Sequence, residues 1–185
     1  MNLDWAVVYD SCVLYPAPLR DLLMHLALTD LYRAKWTQRI HNEWSRALLR
    51  QRPDLSVRDV QRTRQLMDAH VRDCLVTDFE DLISGLDLPD LEDRHVLAAA
   101  IKAEAGTIVT FNLHDFPERC LSRHKVRAQH PDEFIYGLIE IDPMAVQGAM
   151  NRHWKSLRNP PKTKEQYRET LFKQGLLKTA AWLQF

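Results

Sequence analysis

Four carboxylate residues stand far apart in the sequence, at positions where folding can bring them together: Asp10, Glu43, Asp93 and Asp115. Hard cations such as Mg²⁺ and Mn²⁺ take oxygen ligands and usually keep several waters, so their site needs acids spaced by folding. Carboxylates in one pocket repel each other, and a metal relieves that repulsion. A metal held there could activate a water and neutralise charge on a phosphodiester. The four acids therefore indicate a site for metal-assisted hydrolysis.

Two of these acids follow predicted strands. Asp10 comes directly after the apolar run 5–9 (WAVVY), and Asp115 follows the run 107–111 (TIVTF), the clearest strand signal in the chain. Strands that alternate with helices predict right-handed crossovers and a parallel sheet. In such sheets the site lies beyond the carboxyl ends of the strands. We therefore expect Asp10 and Asp115 to lie close together at that edge.

The other two acids are predicted to lie on helices. Glu43 lies beside the apolar stripe of a helix that we expect to begin after Thr37. Asp93 lies near the start of an Ala-rich helix, which we expect Asp90 to cap and Gly106 to stop. Each acid also has a structural alternative, because a lone carboxylate can end a strand, favour a helix N-terminus, face solvent or bond a loop backbone.

The rest of the chain is predicted to be mostly helical. Prolines and capping residues indicate further helix starts at Pro16 with Pro18, Ser56 with Asp59, Asp142 with Pro143, and Thr163 with Gln166. Minor strands are expected at 75–77 and 125–129, and the pattern beyond residue 130 is purely helical. We therefore predict one domain over residues 1–130 and a C-terminal helical extension over residues 131–185.

Composition narrows the class of protein. A chain of 185 residues suits one compact domain with an appendage. No apolar run approaches the roughly 20 residues needed to span a bilayer, and the N-terminus lacks a signal-peptide pattern, so we expect a cytoplasmic protein without a membrane partner. Cys12, Cys74 and Cys120 are odd in number and lack metal-ligand spacing, which favours free, buried thiols in a reducing compartment.

The formal net charge of zero hides an asymmetry along the chain. Residues 151–185 hold eight Lys or Arg and two acids, a balance of +6, and the whole chain holds 25 residues of each sign. Residues 1–150 therefore hold 17 basic and 23 acidic residues, a balance of −6. An acidic body could hold cations, and a basic tail could approach phosphates. The alternative for the tail is an ordinary solvated helix face.

The order of these segments resembles a known family. Residues 1–130 resemble a PIN domain, specifically the VapC-like ribonuclease toxins of bacterial toxin–antitoxin modules. The matching segments are VYDSCVLYP, IHNEW, LPDLEDRHVLAAAI, GTIVTFNLHDFP and HPDEF. The tail LRNPPKTKEQYRETLFKQGLLKTAAWL resembles the helical extension of a longer subgroup. The resemblance implies an α/β fold, namely a PIN-like three-layer sandwich with a central, mainly parallel sheet flanked by helices, followed by the extension.

This resemblance implies a metal-dependent endoribonuclease that hydrolyses RNA phosphodiester bonds with four catalytic acids. Carried over one at a time, these acids are Asp10, Glu43, Asp93 and Asp115. The three aspartates would bind one or two Mg²⁺ or Mn²⁺ ions, directly or through water. Glu43 would be a ligand or would orient the attacking water. Four neighbouring residues are expected to support the site: Ser11, Asp90, Thr110 and Asn112.

The resemblance also implies partners. We expect an RNA substrate and a cognate antitoxin whose peptide lies in the acidic groove, and self-association into a homodimer would match many relatives. Two other functions fit the same residues. One is a PIN nuclease for RNA processing outside a toxin module, and the other is a non-catalytic module that binds RNA or protein. An aspartyl-phosphate hydrolase would need a second Asp at position 12, where the chain has Cys12.

Overall fold

Four parallel strands form one sheet in residues 5–183, the part of the chain that a computed structural model describes. The strands are β1 (Ala6–Tyr9), β2 (Arg33–Lys35), β3 (Ala105–Val109) and β4 (Arg127–Gln129). Their order across the sheet is β2-β1-β3-β4. The central strand β1 is buried along its whole length, as a strand covered on both faces must be. The predicted α/β fold with a parallel central sheet is confirmed.

Eleven α-helices lie within the described residues. They are α1 (Ser11–Leu14), α2 (Ala17–Ala27), α3 (Gln38–Gln51), α4 (Val57–His70), α5 (Glu80–Ile83), α6 (Arg94–Lys102), α7 (Glu118–Leu121), α8 (Pro131–Ile141), α9 (Pro143–Ser156), α10 (Lys164–Lys173) and α11 (Leu177–Trp182). Three short 3₁₀ turns occupy Leu91–Asp93, Leu113–Asp115 and Ser122–His124. Helix α6 packs against β1 and β3, which anchors it on the central strands. No helix in this part of the chain has the length and apolar character to cross a bilayer.

The capping residues place the helix starts as the sequence predicts. The Thr37 hydroxyl accepts a hydrogen bond of 3.0 Å from the Ile40 amide and begins α3. Reciprocal capping boxes form at α4 and α10, each of which satisfies two backbone amides. The α3 cap fixes where that helix begins, and so it sets the position of every later residue on the helix, including Glu43.

Two expectations about the strands are wrong. Helix α6 ends at Lys102 and the chain turns through Glu104, which takes a positive φ of 52°, so Gly106 lies inside β3 and does not stop the helix. Strand β3 therefore begins two residues earlier than expected. No strand runs over 75–77, where Leu75 makes only an isolated bridge to Trp36. The structure instead has a strand that was not predicted, β2, because the charged residues at both of its ends interrupt the apolar pattern.

The C-terminal extension packs directly on the sheet. Phe134 on α8 lies edge-to-face with Tyr32 at a ring-centroid distance of 5.0 Å and with Trp5 at 5.9 Å. Helix α9 packs against α2. Aromatic pairs of this geometry add to the free energy gained from burial. The boundary between residues 130 and 131 stays a prediction.

The turn between α10 and α11 approaches the loop after β3. Gly175 has a φ of +76°, a backbone conformation that favours glycine. A Cβ atom at this position would lie 3.8 Å from ring atoms of both Phe111 and His130. Phe111 lies just beyond the carboxyl end of β3. The extension therefore contacts the side of the sheet where the predicted acids lie.

Candidate active site

Asp10 lies at the carboxyl end of β1 and is fixed by three hydrogen bonds. It is only 3% exposed. Its Oδ1 accepts a bond of 2.6 Å from the Ser11 amide, which caps α1, and its Oδ2 accepts a bond of 2.7 Å from the Thr110 hydroxyl. The Cys12 thiol donates to the same Oδ2 at 3.0 Å. The carboxylate is therefore held in one orientation while the chain turns sharply away.

Thr110 joins the ends of three strands. Thr110 directly follows β3, and its amide donates a hydrogen bond of 3.0 Å to the carbonyl of Gln129, the last residue of β4. Its hydroxyl donates to Asp10 and accepts from the Asn112 amide at 3.0 Å. The side chain is fully buried, so these bonds are shielded from water. The predicted supporting residue Thr110 thus bonds Asp10 directly. The predicted supporting residue Asn112 acts one step further away, because its backbone amide bonds the Thr110 hydroxyl.

Cys12 has a polar role that the sequence interpretation as a small buried hydrophobe missed. Its sulfur accepts a hydrogen bond of 3.2 Å from the Phe111 amide, in addition to donating to Asp10. Burial and, after it, the negative charge of Asp10 raise the pKa of this thiol well above its usual range. The thiol therefore stays protonated and donates, which makes it a poor nucleophile.

Asp93 lies at the end of the 3₁₀ turn that leads into α6. The side chain of Asp90 caps that turn by accepting a bond of 2.9 Å from the Glu92 amide. Burial, followed by the negative charges of Asp10, Asp90, Asp115 and Glu43, raises the pKa of Asp93 to about 7. The negative charges of all three other predicted acids thus raise the pKa of Asp93. We call Asp10, Glu43, Asp93 and Asp115 the acidic edge.

Asp115 closes the acidic edge from the loop after β3. It ends the 3₁₀ turn Leu113–Asp115, and its amide bonds the Asn112 carbonyl at 3.0 Å. His114 Nδ1 lies 3.2 Å from Asp115 Oδ1, but the histidine side chain is almost entirely exposed. A solvated pair of this kind contributes little free energy. Asp115 therefore remains available to a cation or to a partner.

Glu43 projects from α3 towards α6. Its side chain is 34% exposed, and its Oε1 lies 2.7 Å from His95 Nε2 and 3.5 Å from Arg39 Nε. Arg39 also donates to Glu92 at 3.0 Å. Two cationic or polar groups thus meet one oxygen of this carboxylate.

His95 is the residue of this region that sequence reasoning missed. Its position two residues after Asp93 predicts that it points away from Asp93 on the helix, and so that it is packed or solvated. The structure buries it, with 1% exposure, and directs it to Glu43 on the neighbouring helix. Helical periodicity gives the direction away from Asp93, but it cannot tell which helix lies on that side.

The acidic edge has the chemistry that a hard cation requires. All four side chains offer carboxylate oxygens, and the raised pKa of Asp93 reflects its burial and, after that, the negative charges around it. No three His, Cys, Asp or Glu residues among residues 5–183 lie close enough to cage an ion directly. Mg²⁺ usually keeps several waters and takes few direct protein ligands.

The fold and the acids at its carboxyl edge define a class of α/β protein. The sequence model of the PIN domain family matches residues 6–114, which are 109 of the 185 residues. The chain therefore belongs to the PIN domain family. A second model, described as the VapC50 C-terminal domain, matches residues 131–184. These matches confirm the predicted resemblance to VapC-like PIN proteins with a C-terminal extension.

One relative carries a more specific name. A protein of Mycobacterium tuberculosis (strain ATCC 25618 / H37Rv) named "Putative ribonuclease VapC50" is similar to this chain, with 32% identity over 96 residues. The match covers 52% of this chain and 56% of the relative, so the chain matches about half the length of that protein. No solved structure matches the chain.

Proposed function

We propose that this protein is a metal-dependent endoribonuclease whose catalytic centre is the acidic edge. The observation that carries the proposal is the raised pKa of Asp93, because burial and the charges of Asp10, Asp115 and Glu43 are among its causes. Strongly perturbed pKa values cluster at functional sites. Membership of the PIN domain family and a relative named as a ribonuclease support the same conclusion.

The cofactor in this proposal is Mg²⁺ or Mn²⁺, as one or two ions. Asp10, Asp93 and Asp115 would hold it directly or through water, and Glu43 would be a further ligand or would orient the attacking water. When bound, the ion lowers the pKa of that water and neutralises charge on the phosphodiester. The oxygen donors and the crowding of negative charge at Asp93 fit such an ion.

The residues of the chain supply position and charge. The hydrogen bonds from Ser11 and Thr110 hold the Asp10 carboxylate in one orientation. Asp93 must be ionised to bind a cation, and its pKa of about 7 means that cation binding releases a proton near neutral pH. Asp90 acts as a cap of the turn and adds negative charge beside Asp93. No covalent nucleophile is required, consistent with the protonated state of Cys12.

We further propose that the nuclease is the toxin of a type II toxin–antitoxin module. The match of residues 131–184 to the VapC50 C-terminal domain supports this assignment. The partner would be a cognate antitoxin that places an Arg against the acidic edge, where bidentate pairing with carboxylates is strong. Self-association into a homodimer and action on RNA in the cytoplasm fit the same proposal.

RNA cleavage by the purified protein tests the activity. We expect a labelled RNA to be cleaved in Mg²⁺ or Mn²⁺ and to stay intact in EDTA. Asp93→Asn should abolish cleavage, whereas Glu140→Gln, which removes one charge from an exposed position on α8, should retain it. Tight RNA binding without cleavage in either metal would favour the non-catalytic module instead. A small antitoxin-like reading frame immediately upstream would separate the toxin from an RNA-processing nuclease.

A further inference from the structure

His95 is a buried histidine to which the proposed mechanism assigns no role. It lies in the first turn of α6 and is 1% exposed. Within residues 5–183, neither ring nitrogen has a partner in good hydrogen-bond geometry. Leaving buried polar atoms unsatisfied costs about 1–3 kcal/mol each, so the stability of the fold does not explain a histidine at this position.

A carboxylate oxygen of the acidic edge lies beside this imidazole. His95 Nε2 lies 2.7 Å from Glu43 Oε1, a distance typical of a strong hydrogen bond, although the N–H direction is misaligned. Catalytic hydrogen bonds are often poorly aligned in a free enzyme and tighten when the reacting complex forms. The distance between the two side chains therefore allows a hydrogen bond when the imidazole N–H points at the carboxylate.

The second contact to Glu43 is weaker. Arg39 Nε lies 3.5 Å from the same Oε1, but the Arg39 side chain is 41% exposed and is also bonded to Glu92. Solvent screens the arginine contact, whereas the histidine contact lies where water is excluded. Both contacts fall on Oε1, which leaves Oε2 as the oxygen that can serve the site.

We propose that His95 is a positioning residue for Glu43. By donating from Nε2 to Oε1, it fixes the carboxylate of a partly exposed glutamate, so that Oε2 keeps the orientation that metal-assisted hydrolysis requires. Because α6 follows Asp93 directly, the same helix orients Asp93 and, through His95, Glu43 on α3. This inference rests on the proposed function, since Glu43 needs an orientation only if it acts in catalysis.

Substitution of His95 tests this role through the kinetics of RNA cleavage. Loss of an outer partner of a metal site typically costs about 10–100-fold in activity. We expect His95→Leu to lower kcat by that factor with little change in KM, and His95→Gln to restore part of kcat because its amide can donate. His153→Leu is the matched control. It removes another fully buried histidine and should lower stability without changing kcat.

A double-mutant cycle separates positioning from general destabilisation. In a Glu43→Ala background, His95→Leu should cause no further loss of kcat, because its effect passes through Glu43. In the metal-free protein, the imidazole ¹⁵N signals of His95 should shift on Glu43→Ala and not on Glu140→Gln. If the wild type cleaves RNA but the two substitutions are additive, or if the ¹⁵N signals do not move, the positioning role is wrong. If the wild type cleaves no RNA in either metal, the proposed function itself fails and the positioning role with it.

Discussion

Asp93 and Asp132 both lie at the start of a helix, and they differ in what surrounds them. Asp132 on α8 is 5% exposed, and it accepts hydrogen bonds from the amides of Lys178 and Thr179 at 2.8 and 2.9 Å and from the Thr179 hydroxyl at 2.7 Å. Asp93 is half-buried among other acids, and its burial first, then their negative charges, raise its pKa to about 7. One carboxylate has its charge satisfied by donors, and the other has its charge opposed by neighbours.

Under the proposed function, this difference separates a structural acid from a catalytic one. The donors around Asp132 join α8 to the start of α11, so its burial stabilises the extension. The acids around Asp93 oppose its ionisation, and none of them donates a hydrogen bond to it. Carboxylates whose repulsion only a cation can relieve are characteristic of metal sites and catalytic centres.

The first prediction removes the uncompensated charge. Asp93→Asn should lower RNA cleavage by more than the roughly 100-fold that loss of an outer-shell partner costs, because it removes a proposed metal ligand. In metal-free buffer at pH 8 the variant should be more stable than the wild type, by about 1 kcal/mol after allowance for solvent screening. Cleavage assays and thermal unfolding would measure the two effects. Full activity in the variant would show that Asp93 is not a catalytic acid, and the proposed difference between Asp93 and Asp132 would then be wrong.

The second prediction removes the satisfied charge. Asp132→Ala leaves the Lys178 and Thr179 amides without their acceptor and should lower the free energy of unfolding by about 2–3 kcal/mol. Below the melting transition, kcat per folded molecule should not change. Urea unfolding with parallel cleavage assays would measure both. A stable variant, or a folded variant with no activity, would show that Asp132 is not a purely structural acid.

The third prediction concerns how the stability of the C-terminal extension depends on pH through His153 on α9. Burial first, then the positive charges of His25 and Lys162, lower the pKa of His153 to about 3, and its ring bonds the Tyr167 hydroxyl at 2.9 Å. The unfolded state, with a pKa near 6.5, takes up a proton that the folded state excludes, so stability is complete above pH 6.5 and falls towards pH 3. Between pH 7 and pH 5 this histidine should remove about 2 kcal/mol of unfolding free energy.

His153→Gln isolates this effect, because the amide can still bond Tyr167 but does not titrate. Burial also lowers the pKa values of His41 and His25, and these residues titrate in both proteins. Urea unfolding at pH 7 and pH 5 should therefore show a smaller loss in the variant than in the wild type. Equal losses would mean that protonation of His153 does not weaken the extension.

The fourth prediction concerns the support of Asp10. Thr110→Val keeps the side-chain volume but removes the hydroxyl that donates to Asp10 and accepts from Asn112. We expect about a 10-fold loss of kcat, at the lower end of the range for outer-shell partners. The expected loss of stability is about 1 kcal/mol. Unchanged kcat would show that the hydroxyl does not hold Asp10 for catalysis.

Local signals explain what the sequence could predict. The capping residues Thr37 and Ser56 start their helices as expected, because the side-chain bonds that define a cap depend only on neighbouring residues. Asp10 and Asp115 come after β1 and β3 in the sequence. Because each apolar run predicts a strand, the polar residues that follow it are expected at the carboxyl edge of the sheet. The parallel topology and the positions of Asp10 and Asp115 after their strands could therefore be predicted together.

Features that depend on distant contacts could not be predicted. Strand β2 contains a buried Lys35, whose amine donates a hydrogen bond of 2.7 Å to Asp73. Because a charged residue breaks the apolar pattern of so short a segment, the sequence gives no strand signal there. Glu104, not Gly106, takes the left-handed turn after α6. The contact between His95 and Glu43 joins two helices that are far apart in the sequence, so no local pattern signals it.

Metal binding at the acidic edge tests the central claim most directly. A crystal of the wild type soaked in Mn²⁺ should show anomalous density among Asp10, Asp93 and Asp115, and a crystal of Asp93→Asn should show none. Calorimetry of Mn²⁺ binding near pH 7 should show a proton released in the wild type, because Asp93 must ionise. Absence of density at this edge at high Mn²⁺ concentration, or density only elsewhere on the protein, would contradict the account.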